Sequence, residues 1–371
     1  MKSVAIISRH AISNYGSLFQ AYALEQTMRD LGYDAWTINY IRKEETSWHL
    51  CKVELLNSRW NENLLKRAIF YGVNVPNRAI QFSKFGKFRQ KLLHLTSVYD
   101  SFDSLKIKKP VADLYCTGSD QVWNETIFDQ LDWSYFLEFL DDEPRISYAA
   151  SFGKGTVKDQ VKERVRKDLL QYRKISVREN SGKEILADLG IEGEVVLDPT
   201  LLLPRQKWEQ LIGAVKAPYE KYILLYQIHK NDELVEYARK LGEKVGYKVI
   251  NISVSYTQRK SGIILKWLPN YKDVLALFRD AAYIVTDSFH ATAFSINFNK
   301  QFVTVLPKLS ASRIRSILSI MGLEERVLTD TANFNLPQKL IDYGGVNLVL
   351  DNLRVASIDW LKQALREGLG E

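Results

Sequence analysis

Short apolar runs alternate along the chain with stretches of helical periodicity, in two successive series. Residues 3–8 form the first β-type run. A polar turn over 9–16 follows, then helical periodicity over 17–31 that stops at Gly32, and a second strand-like run over 33–40. This predicts a βαβ unit at the N-terminus. Further buried strands are predicted at 114–117, 145–150, 174–177 and 194–197, with helices at 157–172 and 180–189. Asp198-Pro199-Thr200 closes this series, because proline has no amide hydrogen for a central strand and restricts the residue before it.

The second series begins beyond 199–208. Strand patterns at 221–227, 247–253, 282–286 and 301–306 alternate with helical ones at 232–241, 271–279 and 288–297. The expected fold is therefore α/β, with two Rossmann-like domains facing a cleft, at 1–200 and 201–371. A final amphipathic helix at 358–367 is expected to pack back on the N-terminal domain. Such a division suits 371 residues, more than one core ordinarily serves.

Between the first unit and the strand at 114–117, residues 51–99 break the alternation. Helices are predicted at 58–73 and 79–94, on either side of the breaker Val75-Pro76-Asn77. Nine basic residues stand here against Glu54 and Glu62, a local excess equal to the net charge of +7 of the whole chain. Phe82, Phe85 and Phe88 would line one face of the second helix. The segment reads either as a solvated face over a core stripe or as a contact for nucleic acid, anionic membrane or an acidic acceptor.

Composition narrows the setting. An apolar content of 46% with 26% charged residues is that of a globular protein. No run is long enough for a membrane-spanning helix, and Val4-Ala5-Ile6-Ile7 is too short for a signal-peptide core, so a cytoplasmic protein is expected. Cys51 and Cys116 build no disulfide framework, no Cys/His spacing implies a metal, and a nucleic-acid partner is not expected.

Ligands of open parallel sheets bind where strands end and helices begin. Four such loops carry candidate chemistry. Asn14 and Gly16 open the first helix, as an anion or sugar site or as a plain turn. Ser119, Asp120, Gln121 and Trp123 follow the strand at 114–117. They suit a sugar, with polar groups on its hydroxyls and the indole on its ring, or else form an Asx turn over a core tryptophan. Arg178 ends a strand with a donor fork suited to phosphate or carboxylate, or to pairing with Glu179. In Thr286–Thr292, Asp287 or Ser288 would cap a helix whose first turn holds His290, a proton carrier or phosphate ligand. Lys308 and Arg313 could add cations to the same rim.

Together these motifs resemble the polysaccharide pyruvyl transferase family. The resemblance rests on Asn14-Tyr15-Gly16-Ser17 with Gln20-Ala21-Tyr22-Ala23-Leu24, on Gly118-Ser119-Asp120-Gln121-Val122-Trp123-Asn124, and on Ser147-Tyr148-Ala149-Ala150-Ser151-Phe152-Gly153. Ser176-Val177-Arg178-Glu179, Asp198-Pro199-Thr200-Leu201-Leu202 and Thr286-Asp287-Ser288-Phe289-His290 complete it in order. It implies a fold similar to GT-B glycosyltransferases and transfer of pyruvate from phosphoenolpyruvate to a sugar, with ketal formation and no resident cofactor. His290, Arg178 and Arg313 match positions associated with donor binding and catalysis. On this expectation His290 and Asp120 transfer protons, with Arg178, Ser288, Arg313 and Lys308 on the donor. Asn14, Gly16, Ser119, Gln121 and Trp123 hold the acceptor, a free or lipid-linked sugar met at the inner face of the membrane. A nucleotide-sugar glycosyltransferase and a non-catalytic carbohydrate-binding protein are the competing readings.

Overall fold

The computed structural model describes residues 1–371 apart from 46, 57, 126–129, 308–310 and 335–338. The apolar runs become β1 (Ser3–Ile7), β2 (Asp34–Thr37), β3 (Leu114–Thr117), β4 (Arg145–Ser147), β5 (Ser176–Val177) and β6 (Glu194–Val195). The order β2-β1-β3-β4 is parallel throughout, and parallel bridges from Ile146 to Lys174 and from Ala150 to Val177 carry it on to the pair β5-β6. Outside β2, a bridge from Thr37 to Leu95 adds an edge.

The second sheet is built from β7 (Tyr222–Tyr226), β8 (Lys248–Ser253), β9 (Ile263–Trp267), β10 (Tyr283–Thr286) and β11 (Gln301–Thr304), in the parallel order β11-β10-β7-β8-β9. Its strand order reverses beside β7 and β10, the position at which a doubly wound sheet opens a ligand crevice. β9 is an addition to the strands read from the sequence. It lies at the sheet edge with Ile264 and Trp267 partly in solvent, so its pattern is not that of a buried strand.

The two sheets share one core. The helix Tyr15–Asp30 buries 12 of its 16 residues, and every residue of the helix Phe289–Asn297 is buried. Covered on all sides, neither helix shows a one-sided apolar stripe. Phe19, Trp208 and Phe294 meet at the join, with ring centroids 5.0–5.7 Å apart. The last helix runs from Tyr343 to Leu369, much longer than the 358–367 expected, and packs on β3 and β4 with Gly368 against Leu114 and Ile146.

The insertion corrects the sequence reading. Instead of two helices divided at Pro76, one helix spans Leu64–Leu92, preceded by a helix over Ser47–Leu56. Proline removes one hydrogen bond from a helix, and packing on both sides can carry the chain through it. Beyond Pro76, Phe85 and Phe88 pack on Tyr15, Phe88 also meets Tyr271, and Gln81 donates to the Val254 carbonyl. The half before Pro76 packs through Phe70 on Cys51 and Leu55. The predicted stripe is narrower than three residues, since Phe82 is only half-buried and lies under the Arg89 guanidinium.

Candidate active site

The loop after β3 turns sharply at Asp120, whose φ of +77° is a left-handed conformation that aspartate tolerates better than most residues. The turn brings the carboxylate under the start of the first helix. Ser17 Oγ donates to it at 2.5 Å, the Gln121 amide at 2.9 Å and Arg178 Nη2 at 3.2 Å.

Arg178 is the centre of this region rather than its surface. Its side chain has no exposure, and it faces three carboxylates: Asp120, Asp198 at 2.9 Å and Glu179 at 3.5 Å. Asp198, to which the sequence reading gave no site role, also receives Thr200 N, Thr200 Oγ1 and Ser119 Oγ. Burial alone would disfavour its charge. The Arg178 guanidinium and the hydrogen bonds from Thr200 outweigh that and hold Asp198 below the usual carboxylate range. Asp120 is likewise held low against burial, by Arg178, by the hydrogen bond from Ser17 and by Arg313. At Glu179 burial prevails and its pKa is raised.

The facing wall belongs to the second sheet. Ser288 caps the helix Phe289–Asn297 by accepting the Ala291 amide, and His290 falls in the first turn. Burial lowers the His290 pKa despite Asp198 and Asp120, so the ring is neutral at neutral pH. Its Nε2 lies 4.0 Å from Asp198 Oδ2 and makes no hydrogen bond among the described residues. Phe289 sits between two guanidinium groups, with Arg178 4.9 Å and Arg313 5.9 Å from its ring centroid. Burial and Arg178 bring Arg313 down to about 10. With its amide turned to satisfy both groups, Gln121 Oε1 accepts from Arg313 Nη1 at 3.2 Å and Nη2 at 2.5 Å.

A cavity of about 390 Å³ lies between the walls, lined by Asn14, Asp120, Gln121, Ser288, His290 and Arg313 among others. Six of the predicted site residues thus meet in one space. Gly16 stands directly behind the His290 ring, and Ser119 and Arg178 lie behind the lining. Trp123 does not reach the cavity. Its Nε1 donates to the Tyr135 carbonyl and its ring packs among Phe136, Phe152 and Tyr172, so it is a core tryptophan. Lys308 falls outside the described residues.

One pair in the lining was missed. His229, just past β7, places Nδ1 3.1 Å from Asp287 Oδ2, and Asp287 also accepts the amides of Ile228 and His229. Asp287 is therefore not the helix cap that the sequence offered as one choice. The only prior signal was a histidine in the loop after a predicted strand.

Comparisons with known proteins agree with this architecture. Residues 14–308 match the family model described as "Polysaccharide pyruvyl transferase". No curated protein matches the chain. Among solved structures, the spinosyn forosaminyltransferase SpnP is similar over 100% of both chains, at 12% identity and a TM-score of 0.54. UDP-GlcNAc 2-epimerase from Methanocaldococcus jannaschii, solved with UDP-GlcNAc and UDP, is similar over 95% of this chain and 98% of its own, at 13% identity and a TM-score of 0.47. The fold is thus of the GT-B type, two parallel-sheet domains around a cleft.

Proposed function

The chain belongs to the polysaccharide pyruvyl transferase family, and from that premise we propose that it transfers the pyruvyl group of phosphoenolpyruvate to a sugar, closing a ketal. The observation that carries this reading is the meeting, in one cavity, of a helix start at Ser288-Phe289-His290 with Arg313. Phosphoenolpyruvate carries a phosphate and a carboxylate on three carbons, and needs cations together with fixed N–H donors. Arg313 and the helix start supply them. Arg178 acts from behind, holding Asp120 and Asp198 ionised and in place.

The opposite wall presents Asn14, Asp120 and Gln121 to the acceptor. Asp120 can accept a hydrogen bond from a sugar hydroxyl, but held so firmly ionised it is a weak proton acceptor. His290, neutral, lining the cavity and with a buried Nε2 that has no hydrogen-bond partner among the described residues, is the better base. The acceptor is a polysaccharide precursor, free or lipid-linked, met on the cytoplasmic side. The helix Ser47–Leu56 and the start of the helix Leu64–Leu92 would touch the anionic membrane face there, since Leu56, Trp60, Leu64 and Leu65 are exposed, as are Lys52, Arg59 and Arg67.

Thermal unfolding with each class of donor tests the proposal. A ligand that binds only the folded protein raises its melting temperature. Phosphoenolpyruvate should do so and a nucleoside diphosphate sugar should not. The reverse result would support a glycosyltransferase instead.

A further inference from the structure

The reaction just proposed requires an acid as well as a base, and the two histidines of the cavity stand in opposite environments. His290 is tucked against Gly16 with its side chain 10% exposed, whereas the His229 side chain is 59% exposed and rests on the buried carboxylate of Asp287. We propose that His229, held by Asp287, is the second proton-transfer residue: it protonates the methylene carbon of the enolpyruvyl donor while His290 takes the proton of the attacking hydroxyl. This rests on the phosphoenolpyruvate reading of the site.

The geometry of the pair carries the argument. Asp287 is fixed by three donors, the amides of Ile228 and His229 at 2.7 and 3.0 Å and His229 Nδ1 at 3.1 Å. A carboxylate on Nδ1 sets the orientation of an imidazole and leaves Nε2 as the nitrogen available for chemistry. Both residues stand at carboxyl ends of adjacent strands, Asp287 after β10 and His229 after β7, and both line the cavity. Among the described residues, the charged groups facing His229 are Asp287 and, from the helix Ala311–Ile320, Arg313. The hydrogen bond to Asp287 prevails, and the His229 pKa is raised while that of His290 is lowered. Titratable groups pushed apart in one site mark an acid and a base.

In the step that follows, His229 Nε2–H gives its proton to C3 of the donor, and the C2=C3 electron pair becomes the new C–H bond. The hydroxyl oxygen bonds to C2 and yields its proton to His290. Phosphate then leaves with the C2–O electron pair and the proton held on His290, and a second hydroxyl bonds to C2, closing the ketal, and gives its proton to His229. The two hydroxyl protons balance the one added to C3 and the one carried away on phosphate, so both imidazoles return to their starting states.

The pH dependence of kcat separates this role from a structural one. For the wild-type protein, activity should rise as His290 loses its proton and fall at higher pH as His229 loses its own. His229→Gln, at a side chain more than half exposed, should fold normally, lose about 100-fold in kcat with little change in KM for phosphoenolpyruvate, and lack the alkaline limb. Asp287→Asn should shift that limb to lower pH. A His229→Gln enzyme that keeps wild-type kcat or keeps the alkaline limb overturns the inference while leaving the functional reading intact. Wild-type protein that neither binds phosphoenolpyruvate nor releases phosphate from it removes that reading, and the inference with it.

Discussion

His290 closes on Gly16 so tightly that a Cβ at residue 16 would lie 2.3 Å from His290 Nδ1. The two residues open helices that belong to different sheets, so the imidazole is positioned by the join between them. Gly16→Ala must push the ring out of place. Stability should fall by about 1–3 kcal/mol, as in other overpacked sites, and kcat by roughly 10- to 100-fold if His290 transfers a proton. Steady-state kinetics beside a melting curve would check this; an alanine variant with unaltered kcat would show that the ring position is immaterial.

Arg178 is expected to matter for folding before it matters for binding. Removing a guanidinium that faces three buried carboxylates leaves uncompensated charge, at a cost of about 3–5 kcal/mol. Urea unfolding of Arg178→Ala at neutral pH should show that loss. Wild-type stability with only a raised KM for phosphoenolpyruvate would instead put the guanidinium on the donor.

Asp168 predicts a pH effect of opposite sign to that of Asp120. Burial, then Glu138, raises its pKa to about 6, and its Oδ2 has no hydrogen-bond partner among the described residues. The folded state therefore prefers the protonated form, and stability is lost as pH rises from the unfolded value near ~4 through about 6. Asp168→Asn should melt higher than wild type at pH ~8, with the gap narrowing towards pH ~5. A lower melting point at both pH values would contradict the assignment.

The exposed start of the helix Leu64–Leu92 gives a prediction about location. Leu64 and Leu65 are 81% and 72% exposed, which a solvated helix end does not require. The protein should sediment with vesicles containing phosphatidylglycerol, less so at high salt, and not with phosphatidylcholine alone. Leu64→Asp with Leu65→Asp should abolish this while leaving phosphate release from phosphoenolpyruvate with a soluble acceptor unchanged. Absence of wild-type binding to the anionic vesicles would refute the contact.

Much of this arrangement is legible in the chain because parallel strands buried on both faces read as continuous apolar runs, as Val4-Ala5-Ile6-Ile7 and Tyr283-Ile284-Val285-Thr286 do. The loops at their carboxyl ends then locate Asn14, Asp120, Ser288 and His290 together. What sequence hides is burial. Nothing local distinguishes Trp123 in a core from a tryptophan on a sugar, or Arg178 facing carboxylates from an arginine facing phosphate. Pro76 ends a helix by local rules and is overruled by the packing of Phe85 and Phe88 beyond it. His229 and Asp287 are 58 residues apart, and only the pairing of β7 with β10 makes them neighbours.

The most direct test of the central claim is phosphate release from phosphoenolpyruvate against a panel of pyranoside acceptors, with mass analysis of the products. The account predicts phosphate released in step with an acceptor carrying one added pyruvyl ketal, and a loss of about 100-fold in rate for His290→Ala. Phosphate release without a pyruvylated sugar, or a near-normal rate in the His290→Ala protein, would contradict it.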